Sequence, residues 1–478
     1  MLEQSIGIWY TLKYANFKGG LIMPALEAKK NIYWVGVLDK ELRNFDIIMH
    51  TDYGTTYNSY LVRGSEKTVL FDTVKEPFFE EHLKHIRQVC DPSEIDYIVV
   101  NHTEPDHSGS ILKLLEYAPN AKVVAGKVAL NYLSEIFNAP FPSIMVTEKD
   151  TLDIGGMTLQ FISAPMLHWP DSTYTYIPQA KALFTCDSFG CHFADERVFN
   201  DLIDTDFSES YQYYYDNIIG PYAHPSMANA LKKIEPLEIE LIANGHGPVL
   251  RKDIPYYIEL YQKWSAPVVR ENKQVVIAYV SCYGYTKMLA EKIAEGIRHA
   301  GIENLKVLDL ERIDLEEAGK QLQQADGFLL GSPTLVADAL PPVWQMLTYI
   351  NPIIQKGRFA GAFGSYAWGG EAVPNLLHRM EKLNLKLPVE GYRVKLKPSD
   401  EQLQEAFVYG ENFAKAMLTW ILSNTSTVDA THKTVTTATG STEIANLAYG
   451  YYVVYPLGAT DTSTAPGNEK VKSVASLV

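Results

Sequence analysis

Asn101-His102-Thr103-Glu104-Pro105-Asp106-His107-Ser108-Gly109-Ser110 offers two imidazoles and two carboxylates between residues 102 and 107. Nitrogen and oxygen donors in this density suit a first-row metal ion, and packing alone does not call for them. Residues 102, 104 and 106 share a period of two, so an extended backbone would put them on one side and turn His107 to the other. Pro105 removes a backbone donor and stiffens the segment.

Three further segments carry donors in similar settings. Leu167-His168-Trp169-Pro170-Asp171 reads as a loop after a strand. Phe184-Thr185-Cys186-Asp187-Ser188 puts Asp187 at a strand end, and Asn244-Gly245-His246-Gly247-Pro248 sets a histidine between glycines. Each alone reads as an ordinary loop or core residue. Together they make seven donors: His102, Glu104, Asp106, His107, His168, Asp187 and His246.

A second kind of chemistry is written further on. The β-branched run Val275 to Val280 leads into Ser281, Cys282, Tyr283, Gly284, Tyr285 and Thr286, then a helix predicted over 287–299. In a strand–loop–helix of this kind, backbone N–H groups and a helix N-terminus can hold a phosphate. Pro333, Thr334, Leu335, Val336 and Ala337 follow the predicted strand 327–331. Ser365, Tyr366, Ala367, Trp368, Gly369 and Gly370 follow the strand 360–363. Three loops at the carboxyl ends of consecutive parallel strands would line one ligand site. The plainer alternative is an ordinary strand–helix turn in a sheet that binds nothing.

The elements around these residues must be layered. Short β-rich runs (45–49, 57–62, 68–71) precede a helical spacing over 76–89, then strand 95–100, helix 110–117, strand 122–125 and helix 128–137. Strand candidates 144–146, 157–163 and 182–186 follow, and an aromatic-rich helical stretch is predicted from 208 to about 234. Interleaved strands and helices predict an α/β multidomain chain. After residue 422 the composition turns to Ser, Thr and Ala, predicting a linker over 423–441; residues 442–478 are too few for a core of their own.

The chain has 478 residues, 46% hydrophobic and 21% charged, with a formal charge of -15. This excludes a disordered chain and argues against nucleic acid or an anionic membrane as partner. No run approaches the ~18 apolar residues of a membrane span. The four cysteines, Cys90, Cys186, Cys191 and Cys282, form no Cys-x-x-Cys pair, which excludes a rubredoxin-type iron site and suits a cytoplasmic protein.

His-x-Glu-x-Asp-His followed by His168, Asp187 and His246 resembles the metallo-β-lactamase-like domain of flavodiiron proteins. Zinc hydrolases on that fold carry a second histidine where this chain has Glu104, and three carboxylates favour iron over zinc. The resemblance implies a metallo-β-lactamase-like αββα sandwich followed by a flavodoxin-like doubly wound parallel sheet. It implies one iron on His102, Glu104 and His168, another on Asp106, His107 and His246, and Asp187 bridging them. Residues 274–420 resemble a flavodoxin domain: the 281–286 loop would hold the phosphate of FMN, and loops 333–338 and 365–370 would flank its ring, with Tyr366 or Trp368 stacking.

The implied activity passes electrons from a reduced donor, such as an NAD(P)H-linked reductase, through FMN to the irons. O2 would be reduced to water, making the protein an oxygen-scavenging electron sink; NO reduction to N2O is the alternative, and a zinc hydrolase fused to a flavodoxin a lesser one. A head-to-tail homodimer, or a heterodimer with a paralogue, is expected. The expected domains are an extension over 1–23, the diiron domain over 24–268, the FMN domain over 274–420 and the linker. The tail 442–478 resembles the opening of the flavin reductase domain fused to the family's members in oxygenic phototrophs, here cut short.

Overall fold

Thr68–Phe71 and Leu241–Asn244 are buried at every position, as strands are when covered on both faces. They belong to two sheets that pack on each other. The computed structural model describes residues 24–46, 49–266, 273–424, 434–436 and 442–444, and the chain divides into units 1–268 and 269–478.

In the first unit a seven-stranded sheet runs Leu26–Lys29, Ile32–Trp34, Tyr60–Arg63, Thr68–Phe71, Ile95–Val99, Lys122–Ala125, Ser143–Met145. Its first four strands are antiparallel and the rest parallel. The second sheet is a meander, Thr151–Asp153, Thr158–Ser163, Thr173–Ile177, Ala182–Cys186, closed by Leu241–Asn244 in parallel. Their facing sides share one core, in which Phe71 and Phe184 stack at 3.8 Å. Helix Phe79–Val89 buries Phe79, Leu83 and Ile86 on the outer face of the first sheet. Tyr211, Tyr214 and Tyr261 cover the outer face of the second. The layering is αββα.

The second unit holds a parallel sheet in the order Asn304–Asp309, Gln274–Tyr279, Gly327–Gly331, Phe359–Tyr366, Tyr392–Lys395. Helices cover both faces. The expected fold class is thus the observed one.

Several local expectations are corrected. The run 45–49 is not one strand: Asn44–Phe45 pairs with Met49–His50 as a hairpin, and Asp46 sits at φ 49, a conformation short polar residues tolerate. The helix expected over 208–234 is broken. Ser208–Tyr214 continues as a wider turn, Tyr215–Ile219, and His224 leaves helical geometry (φ -126, ψ 132) before Ala228–Ile234. Pro221 removes a backbone donor from the helix, and Pro225 pushes the residue before it, His224, to extended backbone. The helix expected from 287 begins at Tyr285.

The linker expected over 423–441 overlaps structure at both sides. Helix Asp400–Asn424 runs into it, and Thr434–Thr436 pairs with Thr442–Ile444, β-branched segments that favour strand. The extension expected over 1–23 and the reductase-like tail past residue 444 lie outside the described residues.

Candidate metal centre and flavin cradle

The ligand segment is set by what precedes it. Asp72, at the end of Thr68–Phe71 and at φ 50, accepts the Asn101 N–H at 2.8 Å, so the chain leaves the sheet at a fixed point. The backbone stays extended only through Glu104. Pro105 then starts a helical turn, Pro105–Ser108, because its fixed φ suits a first helical position. The period-two expectation therefore fails at Asp106, which turns away from His102 and Glu104 to join His107. Ser108 Oγ donates to the Thr103 carbonyl at 2.7 Å and Thr73 Oγ1 to the His107 carbonyl at 2.7 Å, closing the turn.

Asp187 follows strand Ala182–Cys186, and His246 follows Leu241–Asn244. Between them Gly245 has no room for a side chain: a Cβ there would lie 2.8 Å from the His107 ring and 3.2 Å from Asp187 Oδ1. All seven predicted donors come together, in two groups. His102, Glu104, His168 and Asp187 form one; Asp106, His107 and His246 the other.

Asp187 faces both. Its Oδ2 lies 3.4 Å from His102 Nε2 and 3.2 Å from His168 Nε2; its Oδ1 lies 3.0 Å from His107 Nε2 and 3.4 Å from His246 Nε2. Glu104 Oε2 lies 3.2 and 2.9 Å from His102 and His168, and Asp106 Oδ2 3.2 Å from His246 Nε2. Both Asp106 oxygens, Asp187 Oδ1 and His107 Nε2 are buried yet make no hydrogen bond. Buried orphan atoms are costly unless something else takes their lone pairs. Two donors at right angles, each ~2.1 Å from one ion, are ~3 Å apart. The seven side chains fit two metal ions.

The charges are mutually held. Burial alone would depress His102 and His168, but hydrogen bonds to Asp171, Asp187 and Glu104 raise both to about 10. His107 rises to about 9 against burial, through Asp106 and Asp187. Burial would raise Asp106, yet His107 and His246 bring it down to about 2, and against the same burial His107, His168 and His102 hold Asp187 well below the carboxylate range.

A surrounding layer escaped the sequence reading. Asp171 Oδ2 accepts His102 Nδ1 at 3.3 Å and the Thr103 N–H and hydroxyl at 2.8 Å each. His246 Nδ1 donates to the Thr56 carbonyl at 2.6 Å. His192 is buried, 2.9 Å from Thr55 Oγ1 through Nδ1, with its ring 4.3 Å from Phe45 and 5.3 Å from His246. Burial depresses its pKa well below the ordinary range, so it stays neutral. Only Asp171, three positions after His168, carried a local signal.

In the second unit the three predicted loops gather at the carboxyl ends of Gln274–Tyr279, Gly327–Gly331 and Phe359–Tyr366. Helix Tyr285–His299 begins at Gly284, φ 81, which has no side chain to cap it. Ser281 Oγ accepts the Lys287 N–H at 3.1 Å, and buried Thr286 Oγ1 lies 3.0 Å from Ser365 Oγ. Thr334 N–H donates to the Ser365 carbonyl at 2.9 Å. Leu335 and Asp338 exchange two backbone hydrogen bonds of 3.1 Å around Val336 and Ala337, both at positive φ. Tyr283, Val336 and Trp368 are 81, 95 and 91% exposed. Tyr366 is half-buried, and a Cβ on Gly370 would lie 3.0 Å from its ring. A helix N-terminus opened by a glycine, beside hydroxyls and a rim of apolar surface, fits a flavin phosphate and ring.

Residues 55–247 match the ODP family beta lactamase profile and residues 277–410 the flavodoxin profile. The chain is 41% identical to the flavo-diiron protein FprA2 of Clostridium acetobutylicum, over 83% of this chain and 100% of that protein. It belongs to the flavo-diiron proteins. The type A flavoprotein fprA of Rhodobacter capsulatus is 40% identical, over 80% and 89% of the two chains. Among solved structures, the flavodiiron protein from Giardia intestinalis aligns at TM-score 0.61 and 31% identity, over 86% and 99% of the chains. The rubredoxin oxygen:oxidoreductase of Desulfovibrio gigas aligns at 0.63 and 30%, over 83% and 99%. As a flavo-diiron protein this chain is an oxidoreductase with FMN and a diiron centre as cofactors. Among the described residues no helix is long and apolar enough to cross a membrane.

Proposed function

We propose that this flavo-diiron protein reduces O2 to water with electrons delivered through FMN. The observation that carries the reading is Asp187, which offers one oxygen to each of two histidine groups. In this reading His102, Glu104 and His168 hold one iron, Asp106, His107 and His246 the other, and Asp187 is shared. Bound together, FMN and the diiron pair supply two electrons each, the four that O2 needs to become water. Three carboxylates against four imidazoles make a set harder than a zinc hydrolase's and better matched to iron. The buried ring of Phe45, against His246 and His192, keeps bulk water from that side.

Ser281, Thr286 and the first turn of Tyr285–His299 would bind the flavin phosphate, while Cys282, Tyr283 and Gly284 shape the loop. Pro333 to Ala337 and Ser365 to Gly370 would border the ring. Trp368 is the better stacking partner, because Gly370 already covers a face of Tyr366. O2 is favoured as substrate by the likeness to the Desulfovibrio gigas protein, which is described as a rubredoxin oxygen:oxidoreductase.

The reading includes an external donor, an NAD(P)H-linked reductase or another carrier. It also includes a head-to-tail dimer, with itself or a paralogue, in which FMN of one chain serves the irons of the other. Four free cysteines agree with work in the cytoplasm.

The test is anaerobic reduction followed by separate mixing with O2 and with NO, watching flavin reoxidation. Fast reoxidation by O2 with about two irons per chain is expected. Faster reoxidation by NO would transfer the function to N2O formation, and zinc in place of iron would overturn both.

A further inference from the structure

Three of the four ligand imidazoles differ in what stands behind them. His102 Nδ1 faces a carboxylate, Asp171 Oδ2, at 3.3 Å. His246 Nδ1 donates to a neutral carbonyl, Thr56 O, at 2.6 Å. His107 Nδ1 is buried with no hydrogen-bond partner among the described residues. A carboxylate behind a ligand imidazole draws on its proton and makes the metal-facing nitrogen a stronger donor; a carbonyl does so less. The two metal positions therefore have unequal backing.

Asp171 is built for that task. It is 5% exposed, and its Oδ2 accepts three donors, one from His102 and two from Thr103, the acceptor-only pattern of a carboxylate. Its Oδ1 is buried and unpaired. A charge so poorly screened acts strongly on its nearest neighbours. Its bond to His102 is the longest of the three that Oδ2 accepts, because Thr103 competes twice, through its N–H and its hydroxyl at 2.8 Å.

We propose that Asp171 is a positioning residue that makes the two irons inequivalent, favouring the higher oxidation state at the His102 position. Among the described residues no carboxylate hydrogen-bonds the Nδ1 of His107 or His246; buried Asp72 is near His107 but accepts the Asn101 N–H instead. On reduction the electron is then held first by the Asp106 side. This rests on the assignment of the seven side chains as iron ligands.

The experiment is a redox titration of the iron-loaded full chain, followed by electron paramagnetic resonance of the mixed-valent state. Asp171→Asn keeps the shape and removes the charge. It is expected to favour reduction at one step about tenfold, ~59 mV for one electron, and to change the mixed-valent spectrum. Thr103→Val frees Asp171 Oδ2 for His102 and is expected to shift the same step the opposite way. A merely structural role would move both variants alike. If Asp171→Asn keeps two irons per chain with unchanged potentials, the proposal is overturned. If that variant loses iron, Thr103→Val decides: a lowered potential supports the proposal, an unchanged or raised one overturns it. A wild-type chain that does not bind two irons overturns the ligand assignment itself, a result distinct from bound irons with an unmoved potential.

Discussion

Asp187 Oδ1 lies 3.0 Å from His107 Nε2, both atoms buried, and the two are too oblique to share a hydrogen bond. Two donors of one ion stand at a similar separation, ~3 Å. Asp187→Asn should therefore lower bound iron below two per chain. Partners behind ligands cost roughly 10- to 100-fold in metal affinity when removed, and a shared ligand should cost more. Iron analysis of the purified variant checks this; unchanged iron content would count against Asp187 as the shared ligand.

Iron binding should expel protons. Without metal the imidazoles of His102 and His168 titrate at about 10 and that of His107 at about 9, so all three carry a proton at neutral pH. A metal takes the neutral imidazole, so loading should release on the order of three protons and affinity should rise with pH up to that range. Calorimetric titration in buffers of different ionisation heats measures the number. A metal affinity independent of pH between 6 and 8 would contradict the charge pattern.

Acid should loosen the first unit at a point remote from the metal. His82 is fully buried, its Nδ1 2.8 Å from the Val35 carbonyl, and burial, aided by His85, lowers its pKa to about 4. Its folded pKa lies below its unfolded value of about 6.5, so the unfolded chain binds the extra proton between those values. Its contribution is complete above pH ~6.5 and is lost as pH falls to about 4, by ~3 kcal/mol. Urea midpoints at pH 7 and pH 5 should differ, and His82→Gln should flatten the difference.

Val336 sits in a two-residue turn at φ 54, where a β-branched side chain is strained. Turns of this type favour Asn and Gly. Val336→Asn should stabilise the flavin-free protein by about 1 kcal/mol, read as a rise in the thermal unfolding transition of the unit that carries it. A lower transition would mean that the turn is held by contacts of the Val336 side chain.

Flavin binding divides between the two ends of the cradle. Thr286→Val removes a buried hydroxyl beside Ser365 and should weaken FMN binding roughly 10-fold or more, the loss of a hydrogen bond to a charged group. Trp368→Ala should weaken it only a few-fold, by ~0.5–1.5 kcal/mol, as for one aromatic contact. Equilibrium titration of the flavin-free chain with FMN checks both; equal losses would remove the distinction.

Much of this was legible along the chain. The apolar run 95–100 marks a strand from its own residues, and the ligand types cluster after strand ends because strands deliver their last residues to a common edge. Gly284 and the small polar residues around it mark a strand–loop–helix turn locally, where Gly284 takes φ 81. Where proline intervened the reading failed, at Pro105, Pro221 and Pro225, since a backbone preference of one residue overrides a periodicity spread over many.

The sequence by itself determined the donor types, the interleaving of strands and helices, and the number of candidate ligands, because each is written in residue chemistry or in short-range periodicity; the αββα layering came only through the family resemblance. Tertiary structure alone decided the turn of Asp106 away from Glu104 and the placing of Asp171 behind His102; the grouping of the donors about Asp187 was implied by the resemblance and is seen only in the fold. Those relations join residues as far apart as His102 and Asp171, 69 positions, and they exist only once two sheets have set their edges side by side.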